Sequence, residues 1–117
     1  MATYAKVELS GIADGQGLVI TPTATAGETI HTAHATALDE IWAFVSNLHN
    51  ADVAITVEWG GVTDPDDLLV KGMVIPANSS LIPLIPGLIL TNSLVFAAFA
   101  SVADKLVVSG YVNRITP

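Results

Sequence analysis

Asp52-Val53-Ala54-Ile55-Thr56-Val57-Glu58-Trp59 is the stretch that decides the fold. Successive side chains of an extended strand point to opposite faces. Val53, Ile55, Val57 and Trp59 therefore share one face, and Ala54, Thr56 and Glu58 share the other. The first face predicts core and the second a wet or contacting surface. Just upstream, 40–49 is apolar on both faces at its start, which predicts a strand covered on both sides that emerges at Ser46 and Asn47. Asn50 and Ala51 then turn the chain into the strand at 52–59.

The same period of two recurs at 18–21, 28–32, 68–75, 80–85, 94–101 and 105–115. Helical periodicity persists over no stretch longer than about a dozen residues. Thr36 to Ile41 could form an N-capped turn, but its β-branched and aromatic continuation reads as strand. Turn chemistry separates the segments: Asp14-Gly15-Gln16-Gly17, Ala26-Gly27, Gly60-Gly61, Asp64-Pro65-Asp66-Asp67, Pro76-Ala77-Asn78, Pro86-Gly87 and Ala103-Asp104. About eight strands spaced in this way predict an all-β, two-sheet antiparallel β-sandwich with jelly-roll-like wiring. The expected organisation is a single domain over 1–117, with 1–10 as an N-terminal contact arm.

Composition narrows the function. Only 13% of the residues are charged while 51% are hydrophobic, against about one quarter charged in an ordinary soluble domain. Part of the exterior is therefore expected to be covered by something else. The net charge of −7 comes from eleven carboxylates against Lys6, Lys71, Lys105 and Arg114. Four scattered cations form no patch, which argues against nucleic acid and against an anionic membrane surface. The most apolar stretch, Met73 to Phe99, is interrupted by Pro76, Pro83, Pro86 and Gly87, a pattern unsuited to a spanning helix. Met1 to Ser10 holds no apolar run of signal-peptide length. There is no cysteine, so disulfides and thiolate chemistry are excluded.

No reaction centre stands out. His31-x-x-His34 with Asp39 or Glu40 nearby has the residue types of a zinc set. Positions three apart in a strand face opposite sides, however, so the pair reads as ordinary strand and turn histidines. Asp64-Pro65-Asp66-Asp67 concentrates carboxylates as calcium loops do, but lacks the alternate ligand spacing and closing Glu of an EF-hand. It reads as a type I turn with Pro65 in second position and Asp64 as the capping side chain. The serines lack a nucleophile-elbow context, and Gly15-Gln16-Gly17 lacks the third glycine and the helix of a dinucleotide cradle. Neither catalysis nor a cofactor is expected. Trp42, Trp59 and Tyr111 could serve as stacking platforms of a carbohydrate-binding module, the reading most different in class from a structural role.

Leu81-Ile82-Pro83-Leu84-Ile85-Pro86-Gly87-Leu88-Ile89-Leu90 is branched aliphatic or proline at every position but Gly87. Its prolines confine it to an edge strand or to irregular backbone. An exposed apolar edge is a liability unless the sandwich or a neighbour covers it. Residues expected at an interface are therefore Leu81, Ile82, Leu84, Ile85 and Leu88 here, Thr23, Thr25 and Thr32 in the Thr/Ala-rich stretch, and Tyr4 near the N-terminus.

Several phrases occur in an order that resembles small proteins encoded among the head genes of tailed bacteriophages. They are Thr29-Ile30-His31-Thr32-Ala33, Leu38-Asp39-Glu40-Ile41-Trp42, Val57-Glu58-Trp59-Gly60-Gly61-Val62-Thr63-Asp64-Pro65-Asp66-Asp67, Ile75-Pro76-Ala77, Ile85-Pro86-Gly87-Leu88 and Val108-Ser109-Gly110-Tyr111-Val112-Asn113-Arg114-Ile115. The resemblance implies a capsid decoration, or cement, protein that binds the outer surface of the head and ties capsomers together. Its implied partner is the major capsid protein, and its implied oligomer a homotrimer. A neck or tail component is the second structural reading. No individual residue is assigned a role by the resemblance.

Overall fold

A computed structural model describes all of residues 1–117. Nine strands form two packed antiparallel sheets: β1 (Thr3–Glu8), β2 (Leu18–Val19), β3 (Glu28–Thr32), β4 (Leu38–Asn47), β5 (Val53–Trp59), β6 (Leu68–Ile75), β7 (Ile82–Leu90), β8 (Val95–Ala100) and β9 (Leu106–Thr116). Sheet A runs β1-β9-β4-β7, with β2 also paired to β9, and sheet B runs β3-β8-β5-β6. The pairs β1 and β2 with β9, β3 with β8, β4 with β7 and β5 with β6 are nested. One long hairpin is thus folded over itself, and the cross-pairs β4·β9 and β5·β8 close it into a jelly roll.

The core follows from the alternation. Ile41, Ala43 and Val45 of β4 and Val108 and Val112 of β9 face Val53, Ile55 and Val57 of β5 and Phe96 and Ala98 of β8, all buried. Trp59 closes one end by packing on Phe96, with ring centroids 5.3 Å apart.

Four expectations are corrected. Residues 1–10 are not a free arm, because 3–8 pair with β9 from Thr3↔Thr116 to Glu8↔Tyr111. The strand at 38–47 is covered on one face only: Asp39, Ile41, Ala43, Val45 and Asn47 are buried, and the alternate residues half-buried. Leu84 and Ile85 are not contact residues, since they are 7% and 1% exposed and belong to the core. Finally, the Asp64 to Asp67 turn contains a cis Asp64-Pro65 bond and is held by Asp67, whose carboxylate accepts the Thr63 N–H at 3.1 Å. Asp64 instead pairs with Lys71.

The prolines act as their positions required. β7 is an edge strand, and Pro83 and Pro86 stand in it opposite Phe44 and Trp42.

Truncating a core aromatic leaves a cavity, whereas truncating an exposed aliphatic does not. Phe96→Ala should cost about 3–5 kcal/mol and Leu81→Ala within about 0.5 kcal/mol, read from chemical denaturation midpoints.

Candidate functional site: an aromatic face on sheet A

Register places one set of side chains together on the outer face of sheet A. Glu40, Trp42 and Phe44 of β4 lie opposite Asn113, Tyr111 and Ser109 of β9, and Lys6 and Glu8 of β1 lie opposite Asn113 and Tyr111. Tyr4 lies opposite Ile115, beside Leu38. From the other side, Pro83, Pro86 and Ile89 of β7 oppose Phe44, Trp42 and Glu40. Among these residues only Lys6, Glu8 and Glu40 carry charge. Tyr4 on β1 is 66% exposed and Ile89 on β7 49%, so apolar side chains stand open at both edges of the face, with Trp42, Phe44 and Tyr111 half-buried between them.

The face is ordered by a ladder across all four long strands. The Lys6 ammonium lies 4.8 Å from the centre of the Tyr111 ring. Tyr111 stacks on Trp42, with centroids 6.4 Å apart and planes 15° from parallel. The indole then meets Gly87 of β7, whose φ is +81°; an added Cβ there would stand 2.6 Å from Trp42 Cζ2. Trp42 Nε1 donates to Glu40 Oε1 at 2.8 Å, satisfying the one polar atom of the ring.

Lys6 and Trp42 approach Tyr111 from the strands on its two sides, so the ladder presents rings already in contact with neighbours. A sugar platform needs free ring faces. Trp59, the third aromatic considered for that role, lies against Phe96 at the core. Tyr111, Trp42 and Trp59 thus each have an aromatic or cationic neighbour within the chain.

Beneath this face a buried polar hub joins the two sheets. Asp39 of β4 is fully buried. Arg114 of β9 donates to it through Nε at 2.8 Å and Nη2 at 3.0 Å. The His34 N–H donates at 3.0 Å, and His31 Nε2 of β3 lies 2.7 Å away. His31 Nδ1 accepts the Ser10 N–H at 2.9 Å, so the ring carries its proton on Nε2 and donates it to the carboxylate. Burial pushes the Asp39 carboxyl up, but the bonds from Arg114, His31 and the His34 N–H outweigh it and bring the pKa down to about 2. Asp39 in turn holds the Arg114 guanidinium above its ordinary value.

The hub accounts for His31 and Asp39 without a metal, since both ring nitrogens of His31 are engaged. His34 Nδ1 accepts the N–H groups of Thr36 and Ala37 at 3.1 and 2.9 Å. No three His, Asp or Glu side chains converge as a metal set.

The residues expected at an interface are divided between the two outer faces. Tyr4, Leu81 and Leu88 stand exposed on or beside sheet A, with Ile82 partly packed on the core. Thr23 and Thr25 line a cleft on sheet B, and Thr32 is exposed on its β3 edge. Sequence reasoning missed the ladder. Its signal was the outward alternation of Glu40, Trp42 and Phe44, which pairs with Tyr111 only through register.

Comparison with protein-family models, with curated proteins and with solved structures returns no match.

Because the folded-state pKa of Asp39 lies below the ordinary 3.8, the folded state binds fewer protons there than the unfolded one. The hub's contribution is full above that value and is lost as pH falls through about 2. Asp39→Asn should cost about 3 kcal/mol at neutral pH and flatten the loss of stability between pH 4 and pH 2, as measured by denaturation at each pH.

Proposed function

We propose that this chain is a structural virion protein: a capsid decoration, or cement, protein that binds the outer surface of a tailed-phage head and stabilises contacts between capsomers. Its partner in this reading is the major capsid protein, and it acts as a homotrimer. The observation that carries the proposal is the outer face of sheet A, an aromatic and aliphatic surface with three charges, in a chain that is only 13% charged overall. The resemblance to phage head proteins points the same way.

The mechanism is burial of surface. Pro83 and Pro86 lack the N–H groups that strand addition at the β7 edge requires, so docking uses the face rather than the edge. The Lys6-Tyr111-Trp42 ladder holds the large side chains in place before contact, which reduces the ordering entropy lost on binding. Each copy adds a modest interface, and rupture of the shell then requires many contacts to break together. Jelly rolls also occur in capsid and lectin domains, an analogy of fold that carries no function by itself.

Purified chain mixed with heads lacking it should occupy regular lattice positions in cryo-electron micrographs. Absence from the shell, or density confined to a single ring at the neck, would sink the reading. Ile89→Asp, on the exposed face, should lower occupancy at least tenfold while leaving the unfolding midpoint near that of the parent. Decoration by the parent should depend only weakly on salt, since the face has few charges.

A further inference from the structure

The outer face of sheet B carries a single cleft of about 440 Å³, within the size range of roughly 300–1,000 Å³ that holds small ligands. Thr56 and Glu58 project from β5 and Phe99 from β8, where Thr56 pairs with Phe99 in register. Thr25, in the segment between β2 and β3, closes over them, and Asp64 and Lys71 stand at the side.

Glu58 is the anomaly. It is 1% exposed, and its oxygens accept the Thr25 hydroxyl and, at 2.7 Å, the Gly27 N–H. Neutral donors orient a carboxylate without supplying opposite charge. Buried charges are ordinarily paired, as Asp39 is with Arg114. Glu58 belongs to none of the three ion pairs of the chain. Lys71, the one cation of the lining, bonds Asp64 instead and is 68% exposed. Those two charges cancel, which leaves Glu58 as the uncompensated charge of an apolar-walled cleft floored by an aromatic ring.

A ligand that completes this site is a flat organic cation with an apolar stem. A guanidinium meets each requirement: positive charge for Glu58, a planar face for Phe99, several N–H donors for the hydroxyls, and methylenes for the apolar wall. We propose that the cleft receives an arginine side chain presented by a protein partner, drawn by the buried Glu58 charge that lies behind the Thr25 hydroxyl. The net charge of −7 favours such a partner by complementarity. The identity of the partner rests on the proposed function, whereas the chemistry of the cleft does not.

Titration of the full chain with agmatine, followed by amide NMR, tests this. Saturable shifts should centre on Gly27, Glu58 and Gly72, weaken with added salt, and be absent with glucose. Glu58→Gln should bind agmatine at least tenfold more weakly. Lys71→Gln, at an exposed position that does not threaten folding, frees Asp64 and should bind severalfold more tightly. No saturable shift, an equal response to glucose, or unchanged affinity in Lys71→Gln would overturn the assignment, even if Glu58→Gln fails to fold. The two readings separate cleanly: Ile89→Asp should lose decoration and keep agmatine binding, and a chain that decorates heads but ignores agmatine removes only the cleft.

Discussion

The Asp39 carboxylate is the point on which the sandwich depends. Burial of two apolar inner faces is non-directional and does not by itself decide which polar groups meet between the sheets. Asp39 supplies direction. It holds Arg114 within sheet A and reaches His31 in sheet B, while His31 accepts the Ser10 N–H from the chain leaving β1. One buried charge thus relates three strands and a connection. Its four donors compensate its desolvation, which is why its pKa falls despite complete burial.

That fixed relation has a consequence for both outer faces. With the inner faces pinned, the outer residues of β4 and β9 stand in a defined register, and Trp42, Tyr111 and Lys6 stack across strand boundaries. The result is a face whose large side chains pack against one another. Sheet B differs in shape: its outer face is partly roofed by Thr23 to Gly27 and indented around Glu58. A broad face suits a broad protein surface, and the indentation suits one projecting side chain.

The strand pattern was legible from local alternation. The segments 28–32 and 68–75 coincide with β3 and β6, and the edge placement of β7 follows from Pro83 and Pro86. What local pattern did not carry was pairing across the length of the chain. β1 contributes only Val7 to the core side, so its signal lies in the register with β9 more than a hundred residues away. Arg114 meets Asp39 across 75 positions, and no spacing rule links them. His31 and Asp39 were visible as a cluster, but their chemistry is a hydrogen bond within the hub. Glu58 was placed on the outer face of its strand, yet it is buried because the 21–27 segment folds over it. β7 runs on to Leu90 rather than stopping at Ile85, since an edge strand tolerates proline on its unpaired side.

The central claim is that the outer face of sheet A is covered in the assembled state. Hydroxyl-radical footprinting of assembled particles against the free chain reads this directly, residue by residue. On assembly Tyr4, Trp42, Tyr111 and Ile89 should lose most of their labelling, while Leu69 and Val74 of sheet B keep theirs. Equal labelling of Tyr4, Trp42 and Tyr111 in the two states would contradict it.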